Sequence, residues 1–356
     1  MIYPANFEEK IGFDRIREQV TALCSTPSAK AKLAEEGFST SADEIERRLS
    51  LMNEMRSLLM LERDFPDGDY PDPAPLVAKI RVEGSYLLAA EADQLRKALV
   101  TVGAIAEFIL GRGGAHYPRL WELSRRVTLF PEIVRAIDAI LDDRGEVKDS
   151  ASPELQQVRR AIREREGQAA KRLQQVLQRA KQAGIVDADA VLSVRDGRPV
   201  IPVAAANKRK LQGFIHDESA TGRTFYVEPV EVVEINNELK ELEYAERREV
   251  VKVLSAFTES IRLDAEAIAD AGDYLSSVDM IRAKARWALA NDAGKPILST
   301  DDRLELRTAR HPLLQQTLKA AGREIVPLDL QLDRRKHILV ISGPNAGGKS
   351  VCLKTQ

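Results

Sequence analysis

The sequence predicts a mainly α protein. Its expected parts are a helical core, two long antiparallel helices that enclose a small β segment, and the beginning of an α/β domain with a phosphate-binding loop. Charged residues make up 30% of the chain and aromatic residues 5%, a balance typical of long, solvated helices. Apolar residues recur at helical spacing on both sides of a stretch in which they alternate. Near the end, the glycine-rich string GPNAGGKS follows an apolar run.

Composition excludes several classes of protein. With 356 residues, 44% of them apolar, the chain can form more than one core. The net charge of −2 gives no overall preference for nucleic acid, so a polyanion site must be local. Cys24 and Cys352 cannot form a disulfide framework, and their spacing does not predict zinc. Without a signal segment or an apolar run of about 18 residues, we expect a soluble, cytoplasmic protein without membrane contact.

Residues 1–152 are predicted to form a helical core domain. The string STPSAKAKLAEE places a Ser/Thr cap before Pro27 at the first helical position. Ser41 and Glu44 predict a capping box, in which each side chain bonds the other residue's backbone N–H. The Pro- and Gly-rich strings PDGDYPDPAP and GRGGAHYP predict breaks between helices.

The next three segments predict a lever with a β tip. Residues 153–184 are the predicted lever helix, and residues 230–295 the predicted returning lever helix and core. In 154–183 and 232–261, apolar residues recur at spacings of three, four and seven, which indicates long helices with a coiled-coil-like seam. Residues 185–229, the predicted β clamp, contain four strand-like strings: AVLSVR, RPVIPVAA, GFIHDES and RTFYVEP. An antiparallel helix pair returns the chain to the body from which it left.

Charge along the two predicted helices has opposite signs. Residues 154–183 hold eight Lys or Arg against three acidic residues, whereas residues 232–261 are rich in Glu. Complementarity between the paired helices explains this pattern, and so does direct contact of the basic helix with phosphates. Both interpretations stay open at this point.

Three adjacent cations, Lys208, Arg209 and Lys210, fall at a predicted hairpin end of the β segment. Because like charges repel, a polyanion partner would stabilise them, and they are the predicted nucleic-acid-binding residues. A solvated turn is the alternative. For His216 we predict a structural role within the β segment rather than general base catalysis.

The string from Gly343 to Ser350 fits G-x-x-x-x-G-K-[ST]. It follows KHILVIS, a predicted buried strand, and precedes a predicted helix, so residues 296–356 are interpreted as an incomplete ATPase domain. Its glycines allow backbone N–H groups to face phosphates, Lys349 would reach the terminal phosphates of ATP, and Ser350 would bind Mg²⁺. The predicted cofactor-binding residues of this loop are Gly343, Pro344, Asn345, Ala346, Gly347, Gly348, Lys349 and Ser350.

Three strings in this order, GFIHDESATGRTFYVEP, ARHPLL and GPNAGGKS, resemble the bacterial MutS-type ATPases, and specifically the second paralogue branch, MutS-two. The resemblance covers essentially the whole chain. It implies an ABC-type ATPase head, a lever whose clamp approaches DNA, and a homodimer with ATP sites between its heads. By the same resemblance His311 lies near the adenine, although a turn role without ligand contact is the alternative.

The MutS-two branch is associated with branched DNA, suppression of homologous recombination and rescue of collided ribosomes, and it usually ends in a nuclease domain. Mismatch reading is not implied, because helical core sequence follows Phe7 at once. ATP hydrolysis also needs an acidic Mg²⁺ ligand and a water-positioning residue, which the six residues after Ser350 do not provide. We therefore expect an N-terminal piece of a larger protein, without ATP turnover by itself.

Two other functions fit parts of the pattern. One is an SMC-like structural tether with a P-loop head and a coiled coil, but such tethers place the P-loop ahead of the coil, and here it follows. The other is a non-catalytic module for dimerisation and DNA binding.

Overall fold

The structure, a computed structural model, describes residues 6–195, 197–343 and 348–355. Its internal contacts divide the chain into two units. The first contains the residues up to Arg81, Gln94–Val134 and the residues from Leu263 onward. The second contains Val82–Asp93 and Arg135–Arg262. The finer domain boundaries drawn from the sequence stay predictions.

The described residues are mainly helical, as predicted. In chain order the helices are α1 (Phe7–Ile11), α2 (Phe13–Ala22), α3 (Pro27–Glu35), α4 (Ala42–Leu61), α5 (Ala74–Ile80), α6 (Ala89–Gly111), α7 (Pro118–Ser124), α8 (Pro131–Ile140), α9 (Pro153–Gln182), α10 (Val230–Ser260), α11 (Ala265–Ala290), α12 (Pro312–Ala320) and α13 (Lys349–Thr355). The strands are β1 (Ser193–Arg195), β2 (Arg198–Ala204), β3 (Gly213–Glu218), β4 (Thr224–Pro229), β5 (Leu304–Ala309) and β6 (Leu328–Leu332).

Helix α11 is the central element of the first unit. It packs against α2, α3, α4 and α5, and buries residues on several of its faces. Tyr274, Leu275, Val278 and Ile281 join one apolar cluster with residues of α4 and α6. Because so many of its faces are covered, α11 lacks the single apolar stripe of a surface helix. It begins at Ala265, earlier than the helical string SVDMIRAKARWALA indicates.

Helix starts follow the predicted capping residues, with one correction. Thr26 caps α3, where its Oγ1 accepts a hydrogen bond from Ala29 N at 3.1 Å. Ser41 Oγ accepts from Glu44 N at 3.4 Å, but the predicted return bond from Glu44 is wrong. The Glu44 carboxylate instead accepts charge-assisted bonds from Arg47 and Arg48, which lower its pKa to about 2. Such bonds are stronger than one to a neutral backbone N–H.

In the second unit, α9 and α10 run antiparallel along each other. Arg159 pairs with Glu246 at 2.7 Å, and Arg165, further along α9, pairs with Glu238, earlier in α10, at 2.8 Å. The two helices thus lie side by side with residues of opposite charge in contact, while their role as a lever stays a prediction. Ser152 starts α9, since its Oγ accepts from Leu155 N at 3.0 Å.

All four strands predicted between these helices are present, in the order β1-β2-β4-β3 with antiparallel pairing throughout. Ile201 of β2 and Val227 of β4 are opposite each other and pack onto Val176 of α9 and Val232 of α10. The register of β3 with β4 shifts between Ile215 and Asp217, which marks a bulge at the sheet edge.

The predicted buried strand KHILVIS is wrong in this structure. Residues 337–342 form no regular strand, and Ile338 and Val340 are 76% and 83% exposed. β5 and β6 pair only with each other, and in the described ranges no strand pairs with 337–342. An apolar segment becomes a buried strand only when neighbouring strands satisfy its backbone and cover its side chains.

Candidate nucleic-acid interface and nucleotide loop

The three predicted cations lie in the connection between β2 and β3. These strands are not neighbours, because β4 lies between them, so the predicted hairpin is wrong and the connection crosses one strand. A 3₁₀ turn at Ala205–Asn207 begins it. Asn207 Nδ2 then donates to the Ile185 carbonyl oxygen at 3.1 Å, just beyond the end of α9. This anchor holds the connection at the C-terminal end of α9.

Lys208, Arg209 and Lys210 are all exposed. The Lys208 ammonium lies 4.3 Å from the centroid of the Phe225 ring, a cation–π contact that orients its side chain. No ion pair with a carboxylate in the described ranges neutralises any of the three charges. The connection therefore presents three uncompensated positive charges to solvent.

On the opposite face of the sheet, Arg195 of β1 stacks on Tyr226 of β4, with its guanidinium carbon 3.8 Å from the ring centroid. Its Nε donates to Asp217 Oδ2 of β3 at 2.9 Å. Asp217, Arg195 and Tyr226 thus form a row of side chains across the sheet, and these contacts orient the Arg195 guanidinium. Sequence reasoning missed it, because Asp217 and Arg195 are 22 residues apart and only the strand order brings them together.

Glu228 is the central group of a buried polar cluster beside that row. It is 1% exposed and accepts hydrogen bonds from Arg198 at 2.9 Å and Asn236 at 2.6 Å. His216 Nε2 lies 2.6 Å from its other oxygen. Burial by itself would raise the pKa of Glu228, but the bonds from Asn236, His216 and Arg198 together hold it below its usual range.

This cluster connects β2, β3 and β4 with the first turns of α10. Because the His216 ring is engaged with a charge-paired carboxylate, the structure gives it a structural contact of the kind predicted. Glu228 can be buried at the junction of sheet and helix because each of its carboxylate oxygens has a hydrogen-bond partner in this cluster.

The two described ends of the glycine-rich string are close together. Lys349 Nζ donates to the Gly343 carbonyl oxygen at 2.6 Å. Gly343 and Gly348 have φ angles of 148° and 83°, which favour glycine. Ser350 is exposed in the first turn of α13. The other predicted loop residues, Pro344, Asn345, Ala346 and Gly347, lie outside the described residues.

His311 begins α12. Its Nδ1 accepts from Leu314 N at 3.4 Å, and the residue is 9% exposed. Burial, followed by the charge of Lys354 on α13, lowers the pKa of the imidazole. The neutral ring is the form that can accept the capping bond. His311 thus has a helix-capping role, while its predicted place beside adenine stays a prediction.

Among the residues that the structure describes, no helix is both long and apolar enough to cross a membrane. Likewise, no group of three or more His, Cys, Asp or Glu side chains in the described ranges is placed to hold a metal ion.

No family model matches the chain, but curated relatives do. Endonuclease MutS2 of Bacillus velezensis is 32% identical over 345 residues, which cover 96% of this chain and 43% of the relative. Endonuclease MutS2 of Pelotomaculum thermopropionicum is 32% identical over 347 residues, covering 98% and 43%. Endonuclease MutS2 of Thermomicrobium roseum is 33% identical over 356 residues, covering 96% and 44%.

The chain thus spans less than half the length of these relatives, while they match almost all of the chain. The same named protein recurs at 31–33% identity in organisms from several genera. Since these relatives are more than 30% identical and the alignments cover 96% or more of the chain, the chain belongs to the MutS2 family.

Proposed function

We propose that this chain is the nucleic-acid-engaging part of a MutS2-type, ATP-dependent protein, and that the connection bearing Lys208, Arg209 and Lys210 contacts the phosphates of DNA. The observation that carries the proposal is the exposure of these three adjacent cations without an acidic partner in the described ranges. The relatives are named endonucleases, whose substrates are nucleic acids. Phosphate contact releases condensed counterions, which favours binding.

The paired helices would transmit force between the DNA contact and a nucleotide-binding head. Ion pairs at Arg159–Glu246 and Arg165–Glu238 join α9 to α10, and the Glu228 cluster joins the sheet to α10. Such cross-links favour movement of helices and sheet as one stiff element. In this proposal, ATP-driven closure of two heads in a homodimer moves the clamp around DNA.

ATP and Mg²⁺ are proposed to bind at Gly343–Ser350. The features that support this are the sequence motif, the left-handed backbone at Gly348, and the Lys349 ammonium folded over the start of the loop. Lys349 would contact the terminal phosphates, Ser350 the metal ion, and His311 the adenine. Bound Mg²⁺ would neutralise phosphate charge.

The finer functions of the branch are part of the same proposal. They are preference for branched DNA, suppression of homologous recombination, rescue of collided ribosomes, and nuclease activity in the remaining length of the relatives. We expect no ATP turnover by this chain alone, because hydrolysis needs an acidic Mg²⁺ ligand and a water-positioning residue as well as the loop. Phosphate release that disappears in Lys349→Ala would contradict that expectation.

The test of the DNA contact is the salt dependence of binding to duplex DNA. Each phosphate contact contributes about 0.9 to the slope of log affinity against log salt concentration. The variant Lys208→Gln, Arg209→Gln, Lys210→Gln is expected to lower that slope by roughly 2 to 3. An unchanged slope and affinity would refute the contact.

A matched control lies in the first unit. Arg334, Arg335 and Lys336 are also three adjacent, exposed cations. Unlike the other set they lie beside acids: Arg334 pairs with Asp302, and the Asp333 carboxylate accepts hydrogen bonds from the backbone N–H groups of Arg335 and Lys336. Replacing all three with Gln removes the same charge. We expect this control to keep the wild-type slope.

A further inference from the structure

Complementarity with α10 accounts for only part of the positive charge on α9. Arg159 pairs with Glu246 and also with Asp149, Arg163 pairs with Asp149, and Arg165 pairs with Glu238. These pairs lie in the first half of the helix. They therefore do not account for the positive charge in the second half of α9.

Of the five remaining cations, Lys181 is half-buried and donates to the Ala188 carbonyl oxygen at 2.8 Å. The other four define what we call the outer basic face of α9: Arg160, Lys171, Arg172 and Arg179. All four are exposed, and none forms an ion pair within the described ranges. Arg179 Nε donates only to the Gln175 carbonyl oxygen of its own helix, at 3.4 Å. Among the described residues of the second unit, none neutralises this face.

Helical geometry places these four residues away from the seam. Leu173, Val176 and Ala180 are buried together against the sheet and α10. At about 100° per residue, Lys171 points some 160° away from Leu173, and Arg172 and Arg179 point about 100° to 120° away. From Arg160 to Arg179 the face extends about 28 Å along the helix.

Neutral glutamines fill much of the same face. Gln168, Gln175 and Gln178 are exposed between the cations, and the acid in this row, Glu164, accepts a hydrogen bond from Gln168 at 3.3 Å. Glutamine side chains donate hydrogen bonds to phosphate oxygens. The face is therefore positive and rich in donors along its whole length.

The basic connection is anchored just beyond the C-terminal end of α9. Asn207 Nδ2 also lies 3.5 Å from the Gly184 carbonyl oxygen, immediately after α9, and Lys208 is the next residue. The connection with Lys208, Arg209 and Lys210 is thus held at the C-terminal end of α9, toward which Arg172 and Arg179 lie. The two sets of cations carry charge of the same sign.

We propose that the outer basic face of α9 is a second contact for duplex DNA, which lies along the helix from Arg160 to the Lys208 connection. This inference rests on the proposed DNA contact and extends it. A straight helix offers cations along a straight line, and a duplex, with one phosphate per roughly 3.4 Å of each strand, has about eight phosphates on each strand over that length. A flexible single strand would first have to be straightened, which costs conformational entropy.

The paired helix explains which side the DNA takes. The first half of α10 exposes Glu234 and Glu241 near Phe214, so this side of the pair repels phosphates. Attraction by α9 and repulsion by α10 give the duplex one orientation on the helix pair.

The experiment compares two sets of four charge-neutralising substitutions in the full chain, with a duplex DNA of about 30 base pairs as the probe over a salt series. The first variant is Arg160→Gln, Lys171→Gln, Arg172→Gln, Arg179→Gln. We expect its salt slope to fall by roughly 3, with at least a tenfold loss of affinity at low salt. Gln matches Lys and Arg in helix propensity, so α9 is expected to remain folded.

The control carries Lys240→Gln, Arg247→Gln, Arg248→Gln and Lys252→Gln on α10. It removes the same charge from the other helix of the pair, where Lys240 and Lys252 pair with glutamates of their own helix. We expect it to keep the wild-type slope. A slope lowered equally in the two variants would overturn the inference, because net charge alone would then explain the effect.

The Lys208 connection variant, measured in parallel, separates the two proposals. If it lowers the slope and the α9 variant does not, the inference is wrong and the proposed function stands. If neither lowers it, both fail. The double variant Lys171→Gln, Arg172→Gln is expected to change the salt slope about half as much as the fourfold variant. In a separate competition experiment, displacement of the DNA by equimolar duplex RNA would overturn the assignment to DNA.

Discussion

The Asp279 carboxylate accepts a bond of 2.9 Å from the Arg282 guanidinium, and both side chains are completely buried in α11. The other Asp279 oxygen accepts from the backbone N–H and the hydroxyl of Thr26, at 2.8 and 3.0 Å. The Arg282 guanidinium stacks on Tyr70 with its carbon 3.7 Å from the ring centroid. One ion pair thus joins α11, the start of α3 and the proline-rich connection.

Removing the negative partner of this pair is expected to destabilise the first unit strongly. In Asp279→Asn the buried guanidinium loses its buried charged partner and keeps only the partly exposed Asp67, at 3.3 Å, which costs about 3 kcal/mol or more in the free energy of unfolding. Urea denaturation followed by circular dichroism measures the change. The control Asp273→Asn removes an exposed acid of the same helix that pairs with Lys32, and its expected cost is below about 1 kcal/mol. Equal losses would show that Arg282 does not need Asp279.

The Glu228 cluster predicts a specific loss of stability in acid. Because its folded pKa lies below the ordinary 4.5, ionised Glu228 stabilises the second unit fully above that pH, and the contribution disappears as pH falls through the folded pKa. We expect Glu228→Gln to cost about 2 kcal/mol at neutral pH and to flatten the decline of melting temperature below pH 4.5. The control is Glu218→Gln, which removes an exposed acid of the edge strand β3. We expect its melting temperature to decline below pH 4.5 as in the wild type. A parallel decline in Glu228→Gln would contradict the assignment.

Two glycines of the second unit are expected to respond in opposite directions to alanine. A Cβ on Gly213 would lie 2.2 Å from the Glu228 carbonyl oxygen and 2.6 Å from Val227 Cγ1, so β3 would have to move away from β4. We expect Gly213→Ala to cost about 2 to 3 kcal/mol. Gly167 is exposed in α9 with nothing within 4 Å of a Cβ, and Gly167→Ala is expected to stabilise by about 1 kcal/mol. Thermal unfolding of both variants checks the pair, and a neutral Gly213→Ala would mean that β3 is not held at this register.

The two cysteines are expected to differ in reactivity. Burial, with a smaller effect of the Asp279 charge, raises the pKa of the Cys24 thiol to about 11, while Cys352 is half-buried. Since the thiolate is the reactive form, alkylation near neutral pH should label Cys352 in the native protein and both residues in denaturant. Intact mass spectrometry counts the labels. Native labelling that persists in Cys352→Ser would contradict the buried position of Cys24.

Much of the architecture could be predicted from local patterns. The predicted lever helix at 153–184 corresponds to α9 at Pro153–Gln182, because Ser152 and Pro153 mark its start and the apolar spacing follows its length. The four strands of the β segment likewise lie where alternation predicts them. Such features depend on residues that are near each other in sequence, so the sequence by itself determined them.

Strand order, burial of charge and pairing partners were decided by the tertiary structure. Glu228 meets Arg198 only because β4 lies beside β2, and Arg282 is buried only because α11 is covered on several faces. The apolar run before Gly343 shows the opposite case, since it is exposed where no described strand pairs with it. The physical reason is the same for all three: desolvation and strand pairing depend on groups that distant parts of the chain bring into contact, and local sequence does not encode which groups those are.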